Sequence, residues 1–235
     1  MPEADKDVNP GSGINQLFPV FLKLEQLHVL IVGGGNIGLE KITAVLNNSP
    51  QTRITLVARR ILPEIREFKK QASHLTLLER AFEVSDLENK DLVIAATGDR
   101  AVSELIREES KKRKILINVA DTPDLCDFYL GSIVQKGDLK IAISTNGKSP
   151  TLAKRLKEVF NEALPLDTQV SIDQLNRFRN QLKGDFADKV KQLNEVTALL
   201  IDKKEKNKTI HTKQLIRVVV YIAIAAGLIA LGHFM

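Results

Sequence analysis

Tryptophan is absent from the sequence and tyrosine occurs only twice. The alternation of aromatic and basic side chains on which nucleobases stack therefore has nothing to form from. Cysteine is nearly absent too: Cys126 alone rules out an intramolecular disulfide framework, and with no Cys/His cluster the usual zinc patterns go with it. The lone cysteine points to a reducing compartment. Positive charge is present but unevenly placed. The net charge is +5, and Lys203, Lys204, Lys206, Lys208, Lys213 and Arg217 crowd one stretch before an apolar tail, so nucleic acid is not the expected partner. The remaining composition is ordinary: 235 residues with 43% hydrophobic and 27% charged side chains suffice for one full domain and a smaller second one.

Residues 1–16 are polar and contain Pro and Gly, which reads as a disordered leader. From His28 the chain alternates short β-branched runs with helical stretches, the pattern of a parallel α/β sheet. Strands are expected at His28–Val32, Arg53–Val57, Leu75–Leu78, Asp91–Ala96 and Ile115–Val119, and helices at Asn36–Asn47, Pro63–Ala72 and Asp99–Lys112. Right-handed crossovers then favour a doubly wound, Rossmann-type sheet over 17–122. After Asp121 the rhythm changes. Ser132–Gln135 and Leu139–Ser144 flank a Gly137-Asp138 turn, as in a hairpin. Ser149-Pro150 opens a helix with a capping Ser and a first-turn Pro. Residues 123–160 form a small α+β segment, 161–202 a helical region, and 203–214 a basic linker. The run Val218–Gly232 carries no charge; counted to Met235 it makes a helix of about 27 Å at roughly 1.5 Å per residue, close to a hydrocarbon core of about 30 Å. The basic flank favours a transmembrane tail anchor at 215–234 with the preceding domain in the cytoplasm, against the alternative of a buried core helix.

Gly33-Gly34-Gly35-Asn36-Ile37-Gly38 follows the first strand and opens the first helix, so it fits GxGxxG in the context that gives the motif meaning. Gly33 permits the tight turn, Gly35 leaves room for a pyrophosphate, and Gly38 lets helix and strand approach. The free amides of the helix start, from Asn36 and Ile37 on, add a positive dipole end. NAD is the expected cofactor. The end of strand two reads Ala58-Arg59-Arg60 instead of offering an acid to the ribose, so Arg59 faces a 2′-phosphate or solvent and NADP stays open. Thr97 and Asp99 lie at the carboxyl end of strand four as candidate cofactor contacts, with Asp99 alternatively an N-cap.

Five stretches, Phe18–Leu24, Val32–Gly35, Ala95–Thr97, Asn118–Phe128 and Ile141–Pro150, resemble in order and spacing the precorrin-2 dehydrogenase and sirohydrochlorin ferrochelatase family, that is, the N-terminal part of siroheme synthases. The resemblance covers about residues 17 to 160, and the Asn-Val-x-Asp-x-Pro and Ser-Thr-x-Gly-Lys-Ser-Pro stretches are its specific part. It implies NAD-linked oxidation of precorrin-2 to sirohydrochlorin and, in some members, insertion of ferrous iron as a second substrate. It also implies a homodimer built through 123–160. Asp121 matches the acidic residue assigned to both chemistries, a suitable general base for the proton released on hydride loss. Thr145 matches a hydroxyl residue of the tetrapyrrole pocket, and Asn118 lies in the matching strand. Lys148 and Arg155 are candidate contacts to the substrate's carboxylates.

Leu130-Gly131 and Asn146 depart from the family pattern, and no methyltransferase segment follows, so that step is expected from another protein. Two other classes of answer fit part of the sequence. A membrane-held NAD-sensing regulatory module would have no use for Asp121, and a membrane-bound tetrapyrrole carrier would bind substrate without reducing NAD.

Overall fold

The computed structural model describes residues 15–202. Most of the expected leader, the basic linker at 203–214 and the tail anchor at 215–234 lie outside the described residues. Among the described residues no helix is long and apolar enough to cross a membrane.

Five strands form one parallel sheet in the order β3-β2-β1-β4-β5. They are β1 His28–Val32, β2 Arg53–Val57, β3 Leu75–Leu78, β4 Leu92–Ala95 and β5 Leu116–Val119. Helices α1 Asn36–Asn48, α2 Pro63–Gln71 and α3 Arg100–Lys112 connect or follow them. This is the Rossmann-like arrangement that the alternating pattern predicts. Because the crossovers cover both faces, the strands are apolar almost throughout, not on alternate residues. In β1, Val29 and Ile31 join Ile42, Val45, Leu56 and Ile65 in one core. Leu30 and Val32 point the other way, toward Val57, Val93, Ile106 and Ile117. Each of these fully buried aliphatic side chains contributes roughly 1.5–3 kcal/mol through burial, so both faces hold the sheet.

Register decides where a ligand meets the sheet. Val32 pairs with both Val57 and Ala95, and Ala95 pairs with Val119. The carboxyl ends of β2, β1, β4 and β5 are therefore level. The strand order turns back between β1 and β4, the place where doubly wound sheets bind ligands.

Beyond β5, strands β6 Ser132–Lys136 and β7 Leu139–Ile143 pair as a hairpin, followed by α4 Pro150–Ala163. Gly137 adopts the left-handed conformation at the turn, with φ +59°. Helices α5 Thr168–Gln181 and α6 Phe186–Asp202 complete the described chain. The chain divides into two compact units. One runs to Gln135 and includes Lys140–Ala163; the other joins Lys136–Leu139 to the residues from Leu164 on. Within the second unit, Gln169 holds the turn in both directions: it accepts from the Asp138 amide at 2.7 Å and donates to the Asp138 carboxylate at 3.0 Å.

Element limits fall within a residue or two of the pattern-based expectation. Three short 3-10 turns, Leu24–Gln26, Val84–Leu87 and Pro123–Leu125, were not foreseen, since four residues or fewer carry no readable periodicity.

Candidate active site

The glycine turn follows β1 directly and is shaped by sterics. Gly33 has φ +125°, and its amide donates to the Val57 carbonyl at 2.9 Å. A Cβ on Gly33 would lie 2.1 Å from the Ala96 carbonyl oxygen, and one on Gly38 would lie 2.2 Å from the Gly33 oxygen. Neither position tolerates a side chain without movement of backbone. Gly35 is the opposite case: a Cβ there would meet nothing within 4 Å. Gly35 is also the N-cap of α1 and offers no side chain to the amides of the first turn. Those amides, from Asn36 to Gly38, have no acceptor within the helix and lie at the positive end of its dipole, with open space beside Gly35. Open volume beside uncapped amides is what a pyrophosphate requires, so the turn fits a dinucleotide.

The neighbouring strand ends complete this edge. The loop after β2 packs on the turn, with the Leu62 amide donating to the Gly34 carbonyl at 3.0 Å, and Arg59 is exposed within that loop. After β4, the Thr97 hydroxyl bonds to the carbonyl of Asp99 at 2.9 Å and accepts from its amide at 3.1 Å. Asp99 caps α3 through the Val102 amide at 3.2 Å. The structure thus gives Thr97 and Asp99 a local task in shaping this turn, the capping alternative that the sequence allows. Gly98 between them has φ +68° and open space beside it, with nothing within 4 Å of a built Cβ.

Asp121 follows β5 in the left-handed region, with φ +58°, and is exposed. Its loop is tied to β5 by side chains. The buried Asn118 amide donates to the Phe128 carbonyl at 2.9 Å. The Cys126 sulfur accepts from the Val119 amide and donates to the Val119 carbonyl, each at 3.2 Å. Asp127 accepts from the Ile117 amide at 3.1 Å and pairs with Arg107 of α3. Burial pushes the Cys126 thiol above its usual range, which favours the protonated form that makes these packing hydrogen bonds.

Asp121 lines a cavity of about 500 Å³. Asn118 and Thr145 line it as well, and so does Ile37 from the first turn of α1. The cavity therefore runs from beside the glycine turn to the β5 carboxylate. Thr145 also shapes the entry to α4, its hydroxyl oxygen accepting from the Ser149 amide at 3.1 Å. Lys148 and Arg155 are not among the lining residues. Lys148 is exposed, and Arg155 pairs with Glu158 at 2.7 Å on an exposed face. Helix phase is the reason: Pro150 and Ala153 face the cavity, and Arg155, two residues on, points roughly 200° away at about 100° per residue. Lys41, Glu40 and Tyr129 line the cavity and were not singled out from the sequence. For Lys41 a signal existed, since it lies one helical turn after Ile37. Among the described residues no three His, Cys, Asp or Glu side chains are grouped to hold a metal ion.

Comparison with known proteins agrees with this geometry. Residues 20–132 match the family described as "Putative NAD(P)-binding", and residues 136–160 match the family described as "Sirohaem biosynthesis protein central". Siroheme synthase 1 of Serratia proteamaculans is 34% identical over 165 residues, 70% of this chain and 34% of that protein. The siroheme synthase of Methylococcus capsulatus is 36% identical over 148 residues, 63% of this chain and 30% of that protein. The chain thus spans about a third of the length of the curated relatives it matches. Among solved structures, SirC, a precorrin-2 dehydrogenase, superposes with a TM-score of 0.62 at 28% identity, covering 77% of this chain and 89% of that one. With a glycine turn that fits NAD(P), and with both sequence matches in the same order along one chain, this protein is similar to the NAD(P)-binding and central portions of siroheme synthases.

Proposed function

We propose that this chain oxidises precorrin-2 to sirohydrochlorin with NAD or NADP, using Asp121 as the general base. The observation that carries the reading is the cavity that joins the first turn of α1 to Asp121. Bound NAD(P) supplies the hydride acceptor. The chain's part is to hold the dinucleotide's phosphates on the Gly35–Gly38 amides, to set Thr97, Gly98 and Asp99 along the neighbouring strand end, and to place the tetrapyrrole against Asn118 and Thr145. The carboxylate of Asp121 takes the proton that leaves with oxidation. Its left-handed backbone turns the residue out of the line of β5, and its exposure lets the proton pass on to water. Arg59 stands exposed in a loop that offers the ribose no acid, which is why the test includes NADP beside NAD.

Homodimer formation through 123–160 belongs to the same proposal. Leu130, Leu152, Val159 and Phe160 in that stretch are exposed, and a second copy would cover them. The tail at 215–234 would hold the enzyme at a membrane, its apolar run Val218–Gly232 and basic flank being the support.

The test is anaerobic turnover of the full chain with precorrin-2 and either dinucleotide, read as NAD(P)H appearance. Asp121→Asn, which tolerates the left-handed backbone, is expected to keep dinucleotide affinity and lose about 10²–10⁴-fold in rate. Undiminished turnover in that variant removes the base assignment. Substrate binding with no turnover in the wild type would indicate a carrier, and dinucleotide binding alone a sensing module. Ferrous iron offered with sirohydrochlorin to the same preparation tests metal insertion as a second activity.

A further inference from the structure

Resting on that reading, we infer that Lys41 anchors a carboxylate arm of the tetrapyrrole and that Glu40 competes with the substrate for it. Three charged residues line the cavity: Glu40, Lys41 and Asp121. Lys41 is the one cation among the described lining residues, in a cavity whose other two charges are negative. A substrate bearing several carboxylates is repelled by Asp121 and Glu40, and the cavity wall offers Lys41 alone to offset them.

The geometry sets Lys41 apart from an ordinary surface lysine. Its side chain is only 18% exposed, whereas that of Glu40 is 70% exposed. The two touch, Lys41 Nζ to Glu40 Oε1 at 2.7 Å. Adjacent residues on a helix do not face each other, so this contact is made by bending one side chain toward the other. Glu40, at 70% exposed, is the screened and freely rotating partner, so its end of the pair is held weakly. Glu40 therefore acts as an exchangeable counter-ion: it satisfies the ammonium group when no substrate is present and swings into water when a carboxylate arrives. The other cations near the α4 entry do not take this place, since Lys148 and Arg155 lie off the cavity wall. Lys41 extends from the same face of α1 as Ile37, so the anchored arm lies on the helix whose first turn holds the dinucleotide. Charge recognition and cofactor placement are then built on one rigid element.

The test uses the full chain and steady-state kinetics with precorrin-2 under anaerobic conditions. Lys41→Gln is expected to raise KM for precorrin-2 about 10- to 100-fold, as loss of a charge-assisted bond does, with kcat within about threefold and dinucleotide affinity unchanged. Lys41→Arg restores KM to within about threefold. Glu40→Gln works in the opposite direction and lowers KM about two- to fivefold. An unchanged KM in Lys41→Gln, with the wild type turning over, overturns the inference and leaves the dehydrogenase reading standing. Absence of turnover in the wild type removes the reading itself. Should Lys41→Gln not fold, Glu40→Gln decides: a KM that stays the same or rises overturns the inference.

Discussion

The two edges of the parallel sheet are built on opposite principles. At the carboxyl edge the amides at the start of α1 carry no side-chain cap, and open space faces Gly35 and Gly98. At the amino edge the polar groups are tied together. The His28 amide donates to the Asp91 carboxylate at 2.7 Å, its ring nitrogen bonds the Thr55 hydroxyl at 2.8 Å, and the Asp91 amide returns a bond to the His28 carbonyl at 3.0 Å. One edge leaves the first amides of α1 uncapped, and at the other His28, Thr55 and Asp91 are tied to one another. Substitutions at the first should therefore change binding and turnover, and those at the second should change stability alone.

The sharpest contrast lies within the glycine turn itself. Gly33→Ala places a methyl 2.1 Å from a backbone oxygen on a residue with φ +125°. It is expected to cost about 3 kcal/mol or more, through overpacking and backbone strain together, and to lower the urea midpoint correspondingly. Gly35→Ala meets nothing within 4 Å and should shift stability by less than about 1 kcal/mol. Dinucleotide affinity should nevertheless fall about 10- to 100-fold, because the added methyl occupies the space where phosphate approaches. Urea denaturation and a fluorescence titration with NAD on both variants check this. Equal losses of stability would mean that Gly35 is a structural glycine like Gly33.

A second, smaller effect tests how the loop that carries Asp121 is held. Asp127 is the acceptor for a β5 amide and the partner of Arg107. Asp127→Ala leaves both donors unpaired, at a cost of about 1–3 kcal/mol. Because Asp121 rides on the same loop, turnover should drop about tenfold while dinucleotide affinity holds. Asp127→Asn keeps an acceptor for the Ile117 amide and should recover part of both losses. A full stability loss with unchanged kcat would separate the loop's anchoring from catalysis.

This difference in construction also governs what was readable beforehand. The glycine turn, β2 and β3 could be located from residues alone because sterics and hydrophobic period act over a few neighbours. The position of Asp121 was legible through its motif, but its left-handed backbone was not, since that depends on Asn118, Cys126 and Asp127 closing back on β5. Lys148 and Arg155 were chosen as cations near a helix start. The step of four residues from Ile37 puts Lys41 on the cavity face of α1, but which side of α4 meets that cavity, and so that Arg155 turns away from it, depends on packing between helices and not on any local pattern.

The smallest effect belongs to the amino edge and depends on pH. His28 is held down to about 4 from 6.5, chiefly by burial and then by the nearby charges of Lys90 and Arg53, against the opposing pull of Asp91 and the Asn89 carbonyl. Between those two values the unfolded chain binds a proton that the folded chain does not, so stability falls as pH drops through the window and levels off below about 4. The ring is partly exposed, and solvent screening reduces the effect to about 1–2 kcal/mol. His28→Gln retains a group able to bond Thr55 and removes the titration. Urea midpoints measured from pH 7.5 to 4.5 should therefore fall less steeply in the variant than in the wild type by that amount. NAD affinity at neutral pH should stay within about twofold, because nothing at this edge touches the glycine turn. A matching slope in both proteins would assign the acid sensitivity elsewhere, and a changed NAD affinity would break the division between the two edges.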